Sequence, residues 1–104
     1  MLVYIATPYR SDDKELFEKQ LQYTKTLARK QVVMGHDVIV PHLYYPRFLD
    51  DSNIDERSLG MASARSLMLR CDLVLVGIKY GKSEGVLAEI EYAERYNLLV
   101  KETI

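Results

Sequence analysis

The sequence has no tryptophan, one cysteine, three prolines and five glycines among its 104 residues. With Cys71 alone, no intrachain disulfide can form, which argues against a small disulfide-stapled fold. So few prolines and glycines exclude a collagen-like or low-complexity chain. No run approaches the ~18 apolar residues of a membrane span. An excess of one charge is also missing: 14 basic and 15 acidic residues leave a formal net charge of -1. That balance carries no footprint for a nucleic acid or an anionic membrane as partner. His36, His42 and Cys71 lack any zinc spacing, so no metal is expected. Neither a G-x-G-x-x-G run nor a P-loop lysine motif is present, and no cofactor is expected. The apolar run Leu2 to Ala6 is short and has no basic stretch before it. No signal peptide is expected, and cytoplasmic location is the default reading.

What remains is ordinary globular composition, 48% hydrophobic and 28% charged. The length suits one domain, taken as residues 1–104. A domain this small leaves much surface exposed, and a homodimer is a natural remedy. Leu2 to Thr7 reads as a buried strand ended by Pro8. Ser11-Asp12-Asp13 offers N-cap chemistry to a helix with Phe17, Leu21, Thr24, Ala28 and Val32 inward, stopping at Gly35. Asp37 to Pro41 is a second strand. His42 to Arg57 is irregular, the kind of long connection that often carries function. Ser58 to Arg70 predicts a helix with Leu59, Ala62, Ser66 and Leu69 inward. Asp72 to Gly77 is the clearest strand, Glu84 to Tyr96 a helix on Leu87, Ile90 and Ala93 or Glu94, and Leu98 to Lys101 a closing strand.

Alternating strands and helices with continuous apolar strands predict an α/β fold, a flavodoxin-like three-layer sandwich. Right-handed crossovers favour the parallel order 2-1-3-4. Ligands in such sheets sit beyond the carboxyl ends of the strands, where the order reverses. Here that is between the loops after the first and third strands, with His42 nearby. Thr7 and Gly77, not acids, end those strands, which disfavours a phospho-receiver. Lys82-Ser83-Glu84-Gly85 opens the third helix. Ser83 suits an N-cap, and the free N–H groups beside it suit an anion. Gly85 lets a ligand approach the backbone. Glu89 follows Ser83 by six residues, which lets its carboxylate face the same crevice. The plainer alternative is a capped helix start with a solvated glutamate, and short patterns such as S-x-G-x-x-x-E do recur by chance.

These residues resemble the nucleoside 2-deoxyribosyltransferase-like superfamily, which includes 2′-deoxynucleoside 5′-monophosphate N-hydrolases. The resemblance runs from Val3-Tyr4-Ile5-Ala6 and Arg10 through Cys71-Asp72-Leu73-Val74-Leu75-Val76 to Ser83-x-Gly85-x-x-x-Glu89. Pro41-His42-Leu43-Tyr44-Tyr45-Pro46 and Phe48-Leu49-Asp50-Asp51 resemble an uncharacterised bacterial and phage branch. The resemblance implies the fold reached above, a nucleoside or nucleotide as ligand, and Glu89 as a nucleophile on the deoxyribosyl anomeric carbon. It implies that Tyr4 orients that carboxylate and that Ser83 and Arg10 contact a 5′-phosphate. A neighbouring subunit often completes the pocket in these families.

Three positions depart from the pattern. The families' second acid falls on Ala64, between Ser63 and Arg65. Glu84 puts a negative charge at the phosphate rim, which weakens phosphate binding unless Lys79, Lys82 or Arg10 offsets it. Pro8 removes a backbone donor from the first loop. His42, Asp50, Asp51, Asp55 or Glu56 could supply a proton to the leaving base if the long loop folds over the crevice, with His42 best placed. Two functions follow: an N-glycosidic bond hydrolase or transferase, or a nucleotide-binding module that kept the pocket and lost the chemistry. Asp72, at the opposite end of its strand from the crevice, reads as structural.

Overall fold

Strand alternation divides the core into two layers. β1 (Leu2–Ala6) points Val3 and Ile5 to one face of the sheet and Tyr4 and Ala6 to the other. β3 (Leu73–Gly77) repeats the division, with Leu73 and Leu75 against Val74 and Val76. Both strands are buried on both faces, which is why each reads as an unbroken apolar run. β2 (Asp37–Ile39) and β4 (Leu99–Thr103) form the edges. The order is β2-β1-β3-β4, every pair parallel, as the sequence predicts. This computed structural model describes residues 1–104.

α1 (Lys14–Val33) covers the Val3/Ile5 face with Tyr23, Leu27 and Ala28. Asp13 caps it by accepting from the N–H groups of Glu15 and Leu16. Its end matches expectation: Gly35 sits at φ +95, where glycine carries no steric penalty. Thr24 and Ala28 are inward as expected, whereas Val32 lies on the exposed last turn. α2 (Ile54–Met68) and α3 (Glu84–Arg95) cover the other face. α3 buries Val86 and Ala93 and half-buries Ile90. Leu87, expected inward, is exposed because the buried stripe starts one residue earlier.

Two of the expectations for α2 fail. The helix begins at Ile54, four residues before Ser58, capped by Asn53, whose side chain accepts the N–H of Glu56. Its inward residues are Ala64 and Met68, while Leu59, Ala62, Ser66 and Leu69 face outward. The cause is local: much of α2 walls a cavity instead of packing on the sheet, so small and charged residues face in. The segment before it is less irregular than expected. It holds two short 3-10 turns, Pro41–Leu43 and Tyr45–Arg47, each started by a proline at its first or second position.

Candidate functional site

A cavity of about 410 Å³ opens at the carboxyl end of the sheet. That size is within the usual range for small-molecule sites. It lies between the loop after β1, the 3-10 turns, the inner side of α2 and the first turns of α3. All six residues singled out from the sequence, Tyr4, Arg10, His42, Ser83, Gly85 and Glu89, line it.

Tyr4 reaches the cavity because it is on the α2/α3 face of the central strand. Its hydroxyl donates to Glu89 Oε2 at 2.5 Å. Loss of water around the Glu89 carboxyl pushes its pKa up to about 7, against smaller opposing effects of the Tyr4 hydroxyl and the Arg65 guanidinium. Burial, followed by the charge of Glu89, pushes Tyr4 far up, so this phenol remains a donor at every physiological pH. The pair is therefore a carboxyl group poised near neutrality, held by one fixed hydrogen bond through one oxygen.

Ser83 caps α3, its Oγ accepting the Val86 N–H at 3.2 Å. A side chain at Gly85 would meet nothing closer than Ser83 Oγ at 3.8 Å. Packing does not demand glycine there, and its lack of a side chain keeps that wall of the cavity open. His42 Nε2 lies 2.9 Å from the Thr7 carbonyl. A carbonyl only accepts, so Nε2 carries the proton. Burial lowers the imidazole pKa, leaving the ring neutral with its single N–H spent on Thr7. Tyr9 stacks on this ring at 4.7 Å and fixes its plane. His42 thus shapes the cavity wall and has no free N–H for a departing base.

Arg10 is engaged by Asp51, with its Nη2 2.9 Å from the carboxylate and 3.2 Å from the backbone carbonyl of that residue. This bridge ties the first loop to the start of the turn before α2. Ala64 is buried and presents a methyl group to the cavity. Among the other acids considered for proton supply, Asp51 and Glu56 line the cavity, whereas Asp50 and Asp55 do not. Asp50 instead accepts from Ser52. Sequence reasoning missed Tyr9, Arg57 and Arg65 as lining residues. Arg65 lay next to the noted Ala64, and Tyr9 lay in the loop already assigned to the crevice. Arg57 gave no separate signal. No group of three or more His, Cys, Asp or Glu residues converges to hold a metal ion. No helix is long and apolar enough to cross a membrane.

At the other end of the sheet, Asp72 Oδ2 accepts the Leu2 N–H at 2.8 Å. It clamps β1 beside β3, far from the cavity, as a structural residue should.

The fold is shared with solved 2-deoxyribosyltransferases. The 2-deoxyribosyltransferase of Bacillus psychrosaccharolyticus superposes with a TM-score of 0.78 over 98% of this chain and 71% of that one, at 15% identity. A 2-deoxyribosyltransferase from Leishmania mexicana superposes with a TM-score of 0.54 over 97% of this chain and 62% of its own length, at 14% identity. Residues 1–103 match the family described as a domain of unknown function, DUF7768, and the chain belongs to that family. No curated protein matches the sequence.

Proposed function

We propose that this chain cleaves or transfers the N-glycosidic bond of a nucleoside or nucleotide, with Glu89 as the nucleophile. One observation carries the reading: a carboxylate drawn out of water faces a ligand-sized cavity at the sheet's carboxyl edge, held through one oxygen by Tyr4. The match of fold to two 2-deoxyribosyltransferases supports it.

In the first step, the free oxygen of ionised Glu89 forms a bond to the anomeric carbon as the carbon–nitrogen bond breaks. The electron pair of that bond leaves with the base, which takes a proton. In the second step, water or the nitrogen of another base attacks the anomeric carbon, its proton passing to the wall acid that gave one up in the first step, and Glu89 departs as a carboxylate. Water gives hydrolysis and a base gives transfer. Tyr4 keeps the carboxylate in place throughout and stays protonated. With alanine at position 64 and the Asp51 carboxylate held in the Arg10 bridge, Glu56 is the acid left in the cavity wall to protonate the base.

Ala64 also favours a second reading, a nucleotide-binding module without chemistry, because positioned acids contribute ~10²–10⁴-fold to such reactions. Incubation with a panel of deoxynucleosides and their 5′-monophosphates separates the two. Release of free base that is abolished by Glu89→Ala supports the enzyme. Saturable thermal stabilisation by one of these ligands, with no base released, supports the binding module. Release unaffected by Glu89→Ala refutes the assigned nucleophile. We further propose that the active form is a homodimer, that it acts in the cytoplasm and that residues 1–104 act as one domain.

A further inference from the structure

Two features of the cavity would attract an anion: the Arg10 guanidinium and the amino-terminal end of α3, where unpaired N–H groups create a positive pole. Each already has a carboxylate of the chain beside it. Asp51 engages Arg10 through its carboxylate and its carbonyl. Glu84 occupies the first turn of α3 and lines the cavity directly after Ser83. We infer that the cavity selects an uncharged nucleoside and rejects its 5′-monophosphate, with Asp51 and Glu84 as the specificity-determining residues. The inference rests on the reading of this cavity as an N-glycoside site.

The lysines that could offset these acids are placed elsewhere. Lys82 Nζ is 2.6 Å from Glu102 Oε2, on β4. Lys79 Nζ lies over the rings of Tyr23 and Tyr80, on the α1 side of the sheet. Neither lysine lines the cavity. Of the two other arginines in the wall, Arg65 lies over the Tyr92 ring and its charge acts on Glu89. Arg57 shares the wall with four acidic residues, Asp51, Glu56, Glu84 and Glu89.

The field of Asp51 also extends into the cavity. It raises the pKa of the Tyr9 phenol, after burial, and acts on His42 in the same direction. A phosphate dianion entering here would meet that charge after breaking the Arg10–Asp51 bridge. The bridge is partly solvent-exposed, so its rupture costs little. Solvent screens the repulsion from Asp51 and Glu84 as well, so each is a modest deterrent and the two act together. A neutral sugar hydroxyl meets no such opposition. It can accept from the α3 N–H groups and donate to either carboxylate.

The test compares 2′-deoxyadenosine and 2′-deoxycytidine with their 5′-monophosphates, using wild type, Asp51→Asn and Glu84→Gln. Base release gives kcat/KM, and thermal shift gives binding without turnover. Wild type should favour the nucleosides by about tenfold or more. Each substitution should move the ratio toward the monophosphate by about tenfold, through KM. A wild-type preference for monophosphates, or a ratio unmoved by both substitutions, overturns the inference. If no base is released but nucleosides alone raise Tm, charge selection stands and the nucleophile assignment falls. If no ligand is cleaved or raises Tm, both fall.

Discussion

Replacing Glu89 by glutamine should make the protein more stable, and increasingly so as pH rises. The carboxyl has its ordinary pKa of 4.5 in the unfolded chain and about 7 in the folded one. Below pH 4.5 it is protonated in both states and has no effect on the balance. Between 4.5 and 7 the unfolded chain ionises while the folded chain holds its proton, so stability falls as pH rises. Above 7 the full effect is reached. At 1.36 kcal/mol per pH unit, the gap between 4.5 and about 7 corresponds to about 3 kcal/mol. Glutamine keeps the shape and can still accept from the Tyr4 hydroxyl, but it never ionises. Urea unfolding of both proteins at intervals from pH 4 to 8.5 measures the difference. The advantage of Glu89→Gln should grow by about 3 kcal/mol across that range. The neutral His42 also titrates on unfolding, but equally in both proteins, so it cancels. A difference that is flat or falls with pH would refute the burial of an ionisable carboxyl at this point.

Tyr4→Phe removes the hydrogen bond that favours the ionised form of Glu89. The pH profile of base release should move to higher pH by about one unit, with about tenfold lower kcat at pH 7. Gly77→Ala would bring a methyl carbon within 2.6 Å of Leu27 Cδ1 and 2.8 Å of Tyr23 Cε2. Overpacking of this kind should cost about 1–3 kcal/mol in denaturant unfolding. Asp72→Ala loses the clamp on the Leu2 N–H. It should lower stability by about 1 kcal/mol and leave ligand-induced Tm shifts unchanged.

The central strands were legible because burial on both faces demands unbroken apolar runs, and Val3 to Ala6 and Leu73 to Val76 supply them. Strand order followed from that pattern and the handedness of crossovers. The start of α3 was legible because a capping serine is a local signal. α2 was misread because periodicity reports the side facing apolar core, and this helix faces a cavity. Leu59 and Leu69 mark its outer surface, while Ala64 and Arg65 lie on the cavity side. The Asn53 cap with Glu56 three residues on was a usable start signal that the run of acids obscured. The Arg10–Asp51 bridge joins residues 41 positions apart, and no spacing rule predicts it.

The nucleophile assignment is tested most directly by rapid-quench mass spectrometry on a deoxynucleoside that the protein cleaves. A deoxyribosyl adduct on the peptide containing Glu89, absent from Glu89→Gln, is the expected result. Steady release of base with an unmodified Glu89 peptide, at a rate that Glu89→Gln matches, would contradict it.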